Sequence, residues 1–438
     1  MTPAARISAA IEVLSAIVSD RVPAANALKE WGTAHRFAGS GDRAAISGLV
    51  YDVLRRFASS AWRMGSETPR ARMIGMLVLE RGFDAARIEA LFDGERHNPA
   101  GLTEAERAAL AGRSLDGAPP HVAGDYPEWL GAHVGRAFGE DSVAELAAMA
   151  RRAPLDLRVN TLKASRDKAL ASLAHLGAQP TPWSPLGLRI ALGPDARSPG
   201  IQSEEAFVKG WVEVQDEGSQ LAALLSGAKP GMTVIDLCAG AGGKTLALAA
   251  MMEGRGRLVA TDADKRQLAP IFERLSRAGV HNAEVRQPKG AAEPLSDLNG
   301  DADLVLIDAP CTGTGTWRRN PDAKWRMRPG ALDIRVKAQG ELLDRAAPLV
   351  RPGGRIVYVT CSVLPEENGV QVRAFVERNA NFSVVPPAEA IGGLGDRIDH
   401  FSAADFSGAV VAGPEGLTMT PRRTGTDGFF VAVLEREP

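Results

Sequence analysis

The chain has 438 residues, of which 45% are hydrophobic and 24% charged, a profile that fits a globular protein of about two to four domains. Its 51 basic and 53 acidic residues leave a formal net charge of −2, which excludes a dominating basic tail but not local basic patches. Three cysteines, Cys238, Cys311 and Cys361, are too few and too odd in number for a disulfide framework and point to a reducing, cytoplasmic setting. No run of about 18 uncharged apolar residues occurs, so no spanning helix and no membrane role are expected. Glu12 interrupts the first apolar run, which does not read as a signal peptide.

Residues 1–140 read as one all-helical domain. Ile7, Ile11, Leu14 and Val18 recur at helical spacing over 5–19. Ile46, Leu49, Val50, Val53, Leu54 and Phe57 predict a single amphipathic helix over 43–58. Further helices are expected around 71–81, 85–93 and 127–138. Thr103 with Glu106, and Ser142 with Glu145, match the capping-box pattern at helix starts. The first 72 residues carry ten Arg/Lys against six Asp/Glu. That excess suits either solvated helix faces or a surface facing RNA phosphates. The stretch FAGSGDRAAISGLVYDVLR at 37–55 resembles the helical domain of the transcription antitermination factor NusB, which implies binding to RNA or a ribosomal complex.

Residues 141–205 read as a small α+β (RRM-like) domain. Leu155, Leu157 and Val159 alternate with Asp156, Arg158 and Asn160, the period of a strand. A helix over 166–176 and a strand over 188–192 follow. Spacing alone leaves a plain packing module open.

Residues 206–438 read as a doubly wound, Rossmann-like α/β domain. Apolar runs Val234–Leu237, Leu258–Thr261, Ala283–Arg286, Leu304–Ile307 and Arg355–Thr360 are mostly separated by helical patterns, the signature of a mainly parallel sheet. Ligands bind such sheets at the carboxyl ends of strands. The first run ends in DLCAGAGGKT, 236–245. A Walker A loop would need glycine where Cys238 stands, and a dinucleotide fingerprint would need glycine where Thr245 stands. An S-adenosylmethionine loop is the third reading. Asp262, 20 residues after Gly242, supports it as an acid placed for ribose hydroxyls. The fourth and fifth runs end in DAPCTGTG, 308–315, and TCS, 360–362, followed by PEEN at 365–368. All three cysteines thus fall at strand ends.

DLCAGAGGKT, DAPCTGTG and TCSVLPEEN resemble the signature motifs of the RNA 5-methylcytosine methyltransferases. The order of the three domains is similar to that of the bacterial branch acting on 16S ribosomal RNA. The resemblance covers nearly the whole chain. It implies S-adenosyl-L-methionine as cofactor, held by Cys238, Ala239, Gly240, Ala241, Gly242, Gly243, Lys244, Asp262 and Asp308. It also implies Cys361 as the nucleophile that adds to cytosine C6, Asp308 as the acid at N3, and Cys311 as the group that assists breakdown of the adduct. Lys244 is a candidate neighbour favouring a thiolate. No metal is expected. Two departures stand out: Gly240-Ala241 replace the usual Ala-Pro, and Lys289 stands near the usual adenine-side Asp.

Residues 318–337 hold seven Arg/Lys against two Asp, with Trp317 and Trp325 interleaved. Arg318, Arg319, Lys324, Arg326 and Arg328 are read here as RNA-binding, by phosphate contact and base stacking, against a plain charged loop as the alternative. The expected partner is RNA, 16S ribosomal RNA by resemblance, and the expected state is a monomer. The alternative function is a catalytically weak RNA-binding or ribosome-assembly factor, motivated by Lys289. A DNA cytosine methyltransferase would instead use the Cys311 motif as nucleophile.

Overall fold

The computed structural model describes residues 1–112, 114–193, 198–288, 294–395 and 401–438. They form two compact units. One contains Met1–Arg152 with Trp317–Met327; the other contains Ala153–Leu192, Ser198–Thr316 and Arg328–Pro438. No helix among the described residues is long and apolar enough to cross a membrane.

The first unit is helical through Met149. Ile46, Val50, Val53 and Leu54 are buried together with Leu14, Met73, Ile74 and Met76, as their spacing requires. The single helix expected over 43–58 is two, Ser40–Arg55 and Phe57–Met64, broken at Arg56. The break has a tertiary cause. The buried carboxylate of Asp125 accepts hydrogen bonds from the Ala58 and Ser59 amides and the Ser59 hydroxyl, satisfying donors that a continuous helix would have used. The Thr103/Glu106 capping box forms with both reciprocal bonds, Glu106 N to Thr103 Oγ1 at 3.2 Å and Thr103 N to Glu106 Oε2 at 2.8 Å. The Ser142/Glu145 pair does not. Ser142 is already helical after a tight turn over Gly139–Asp141, and its hydroxyl donates backwards to carbonyls.

The second unit holds two sheets. The smaller is antiparallel, in the order β2-β3-β1-β4 (β1 Leu155–Val159, β2 Gln179–Pro180, β3 Gly187–Ile190, β4 Val212–Val214). Its fourth strand lies past residue 205, so this sheet draws on the segment assigned above to the catalytic domain. The larger sheet contains β5 Thr233–Asp236, β6 Arg257–Thr261, β7 Ala283–Arg286, β8 Ala302–Asp308 and β9 Val350–Thr360. It continues with β10 Phe382–Val384, β11 Val411–Gly413, β12 Gly416–Met419 and β13 Phe429–Arg436. The strand order is β11-β12-β13-β9-β8-β5-β6-β7, with β10 on β13. β7, β6, β5, β8 and β9 run parallel. The chain winds outward from β5 in one direction to β6 and β7, and in the other to β8 and β9. The switch point therefore lies between β5 and β8, where ligand crevices form. The antiparallel strands past β9 were not anticipated from sequence.

Candidate active site

Every chemically marked segment leaves the carboxyl end of a strand in the second unit. Beyond β5 the chain turns through Gly242, whose φ of +86° only glycine adopts readily. A Cβ there would also lie 2.5 Å from Ile271 Cγ1. The helix Gly243–Met251 starts at that turn and presents its first amides. Asp262, just past β6, is tied to the same loop: its Oδ2 accepts the Gly240 amide at 2.9 Å and its Oδ1 the Asp264 amide at 2.8 Å.

These residues border a cleft of about 670 Å³. Cys238, Ala239, Gly240, Ala241, Gly243, Lys244, Asp262 and Asp308 all line it; Gly242 does not, and serves instead as the turn behind the loop. The floor carries an ion pair, Lys244 Nζ to Asp308 Oδ2 at 2.7 Å. Lys244 therefore has Asp308 as its salt-bridge partner, as a cation at the loop would. Behind them Asp236 is fully buried. Burial, reinforced by the negative charge of Asp308, pushes its carboxyl up to about 7, against the Thr245 hydroxyl that donates to its Oδ2 at 2.7 Å. Burial likewise pushes the Cys238 thiol well up, so this residue stays a neutral wall of the cleft.

Cys311 and Cys361 meet beyond β8 and β9, their sulfurs 3.2 Å apart. The hydrogen bond with Cys361, followed by burial, raises the Cys311 thiol well above its ordinary value. A buried polar brace holds the two loops at this distance. Thr314 Oγ1 lies 3.0 Å from Ser362 Oγ and accepts the Val363 amide at 3.0 Å. Asn368 Nδ2 donates to Ser362 O at 2.9 Å and the Gly315 amide to Cys361 O at 2.9 Å. Gly315 packs backbone on backbone, since a Cβ there would fall 2.0 Å from Gly428 O. Glu367, with no exposure, accepts the Thr312 amide at 2.8 Å. From the sequence alone neither Glu367 nor Asn368 of PEEN carries a role. The signal was present, because two acids and an amide directly after an apolar run need buried partners.

The expected RNA-binding set is not a single surface. Trp317 and Lys324 are each 1% exposed and Arg318 5%, all within the helical unit. There Trp325 Nε1 donates to Leu54 O at 2.7 Å and its ring lies 5.1 Å from that of Phe57. Arg55 donates to Arg318 O at 3.2 Å. The Lys324 ammonium sits 4.9 Å from the Trp325 ring centroid. The alternation of cations with Trp is thus a packing pattern in which the buried Lys324 side chain lies over the Trp325 and Trp317 rings. It corrects the assignment of Arg318 and Lys324 to phosphate contacts. Arg319 is half-buried; Arg326 and Arg328 are exposed, but Arg326 pairs with Asp322 at 3.1 Å and Arg328 belongs to the other unit. Lys289 lies outside the described residues.

Burial lowers the Lys324 ammonium to about 8. An unfolded lysine titrates near 10.4, so between about pH 8 and that value the unfolded chain binds the extra proton. Stability from this group consequently rises with pH across that window. Lys324→Met should lose this rise. Urea midpoints of both proteins at about pH 7.5 and 9.5 check it, because other titrating groups cancel in the difference. Equal pH slopes in the two proteins would contradict the buried placement.

A family model described as 16S rRNA methyltransferase RsmB/F matches residues 223–435. A second, described as the ferredoxin-like domain of RsmF/B-like methyltransferases, matches 126–196. The probable ribosomal RNA small subunit methyltransferase B of a Synechocystis strain is 32% identical over 317 residues, covering 71% of this chain and 67% of that protein. The ribosomal RNA small subunit methyltransferase B of Erwinia tasmaniensis is 28% identical, covering 92% and 93%. Among solved structures, PH0851 superposes with a TM-score of 0.72 at 26% identity over 100% of this chain and 99% of that one. A methyltransferase homologue from Pyrococcus horikoshii gives 0.57 at 27% identity, over 72% and 97%.

Proposed function

Because the chain belongs to the RsmB/RsmF family of 16S rRNA methyltransferases, we propose that it moves a methyl group from S-adenosyl-L-methionine to C5 of a cytosine in 16S ribosomal RNA. The observation that carries this reading is the pair of cysteine sulfurs, 3.2 Å apart, one on the loop that leads from Asp308 and its Lys244 partner and the other on the loop after β9.

Cytosine C5 is a weak nucleophile. In this reading Cys361 Sγ adds to C6 and makes C5 enamine-like, a nucleophilic activation. Asp308, oriented by Lys244, contacts N3 and stabilises the protonated ring of the adduct. Bound S-adenosyl-L-methionine supplies the electrophilic methyl. Loss of the C5 proton then lets the electron pair re-form the C5–C6 double bond and expel the Cys361 thiolate, a stage that Cys311 assists. The base must be unpaired or flipped, because C6 is inaccessible within a stack. The loop Cys238–Lys244 and Asp262 would hold the cofactor. A glycine turn without room for a Cβ, helix amides at its end and a carboxylate fixed by two amides suit a ribose and a carboxylate-bearing ligand.

Further parts of this reading are the NusB-like character of residues 1–140 and their role in RNA binding. A monomeric, cytoplasmic protein is included as well. Bisulfite sequencing of 16S RNA from cells with and without the protein tests the activity: one cytosine should lose its protection when the protein is absent, and an unchanged pattern would defeat the proposal. Asp262→Ala should weaken cofactor binding roughly tenfold or more, since a charge-assisted acceptor is worth about 1.5–3 kcal/mol. Calorimetry with S-adenosyl-L-methionine measures it, and an unchanged dissociation constant would remove Asp262 from the site.

A further inference from the structure

Arg158 and Gln215 form a pair that the methyl transfer described above does not use. Arg158, on β1, is 2% exposed, and its two terminal nitrogens have no hydrogen-bond partner among the described residues. Its Nε donates to Gln215 Oε1 at 2.6 Å. Burying a guanidinium on one such bond is unfavourable on stability grounds alone. Gln215 follows β4 and is pinned through its backbone: its amide donates to Asp156 O at 3.1 Å, and its carbonyl accepts Gln220 Nε2 at 2.9 Å. Gln215 and Ser219 both line the cleft that Gly240, Ala241 and Gly243 border.

An arginine N–H can only donate, so the Gln215 oxygen must face Arg158 and its NH2 group must face away. That NH2 group lies at the start of helix Gly243–Met251: a Cβ on Gly243 would be 3.8 Å from Gln215 Nε2. One of its hydrogens goes to Ser219 Oγ at 3.2 Å, which leaves the other hydrogen and the Ser219 hydroxyl proton for a ligand. Arg274 stands at the same corner but is engaged, Nη1 with Ala241 O at 2.7 Å and Nη2 with Glu213 Oε2 at 3.1 Å. The Asp308 charge is answered by Lys244. The cleft therefore has two chemical ends. The carboxylates of Asp262 and Asp264 line it past β6, and donors line it around Gly243. Ribose hydroxyls suit the first end, and a carboxylate suits the second.

We propose that Gln215 is a cofactor-binding residue whose Nε2 donates to the α-carboxylate of S-adenosyl-L-methionine, and that Arg158 is the positioning residue that keeps the amide turned this way. This deepens the reading above, on which it rests, by assigning the end of the cleft opposite Asp262.

The test needs no RNA. Calorimetry on the full chain compares S-adenosyl-L-methionine with decarboxylated S-adenosylmethionine, which lacks only the carboxylate. The unaltered protein should bind the first roughly tenfold or more tightly than the second, as expected for a charge-assisted hydrogen bond. Equal affinities would overturn the proposal even if no variant folds. Gln215→Glu keeps an oxygen for Arg158 Nε and replaces the NH2 group by a second, negative oxygen. Its dissociation constant for S-adenosyl-L-methionine should rise roughly tenfold or more, while the decarboxylated compound should bind no more weakly than before. Arg158→Met lets the amide turn over and should narrow the preference between the two ligands; a merely structural Arg158 would weaken both equally and leave their ratio in place. An equal loss for both ligands in Gln215→Glu, or an unchanged ratio in Arg158→Met, would sink the assignment of that residue and leave the cofactor reading standing. Binding of neither ligand to the unaltered protein would defeat the cofactor reading and this inference with it.

Discussion

Cys361→Ala is expected to abolish methylation and any covalent link to RNA, whereas Cys311→Ala is expected to accumulate a protein–RNA adduct that survives a denaturing gel. Addition to C6 needs one thiolate, and release needs a second group at the same base. The sulfurs are 3.2 Å apart on neighbouring loops, so either could reach one C6 atom. Geometry alone leaves the order of use open, and the two variants resolve it. The reversed order, as in DNA cytosine enzymes, predicts the adduct with Cys361→Ala. Plain burial of both predicts turnover in each variant with some loss of stability. An adduct trapped only by Cys361→Ala would overturn the assignment proposed here.

Trp317→Ala should lower the stability of the helical unit by about 3–5 kcal/mol, the usual cost of deleting a large buried aromatic ring. Trp317 is 1% exposed and among the largest fully buried side chains of the described residues. Chemical unfolding followed by circular dichroism would measure the loss. If Trp317 were a stacking platform for RNA, its removal would leave the unfolding midpoint in place and weaken RNA binding alone. The two roles therefore give opposite results in one pair of measurements.

The contrast between these residues shows what the sequence made legible. The placement of the cysteine motifs was legible: Cys311 and Cys361 follow the apolar runs that form β8 and β9, and their sulfurs lie 3.2 Å apart. The strands β5, β6, β8 and β9 were readable because buried parallel strands are near-continuous apolar runs. The tract from 317 to 327 was not. Alternating cations and tryptophans look alike whether they face phosphates or cover each other, since long cationic side chains bury their stems readily. What decides is a partner about 270 residues away, Leu54 for Trp325, and no local window contains it. The break at Arg56 was hidden for the same reason, because Asp125 causes it from 66 residues downstream. Helix Ala24–Ala34 was missed because its buried positions are mostly alanine, with Trp31 its one large anchor. Glu367 was visible as a residue, but its bond to the Thr312 amide, 55 residues away, was not.

The tract Trp317–Met327 also bears on the order of events at the ribosome. The helical unit begins at the first residue, yet its Trp325 hydrogen bond to Leu54 and the Asp322 bond to the Ala24 amide close over 271 and 298 residues. A chain made at about 5–20 residues per second needs roughly 15–60 s between exposing the first of these partners and supplying the second. Throughout that interval Phe57 and its neighbours lack their cover. Vectorial synthesis therefore cannot finish this unit first, and its final closure must wait until β5 through β8 have emerged.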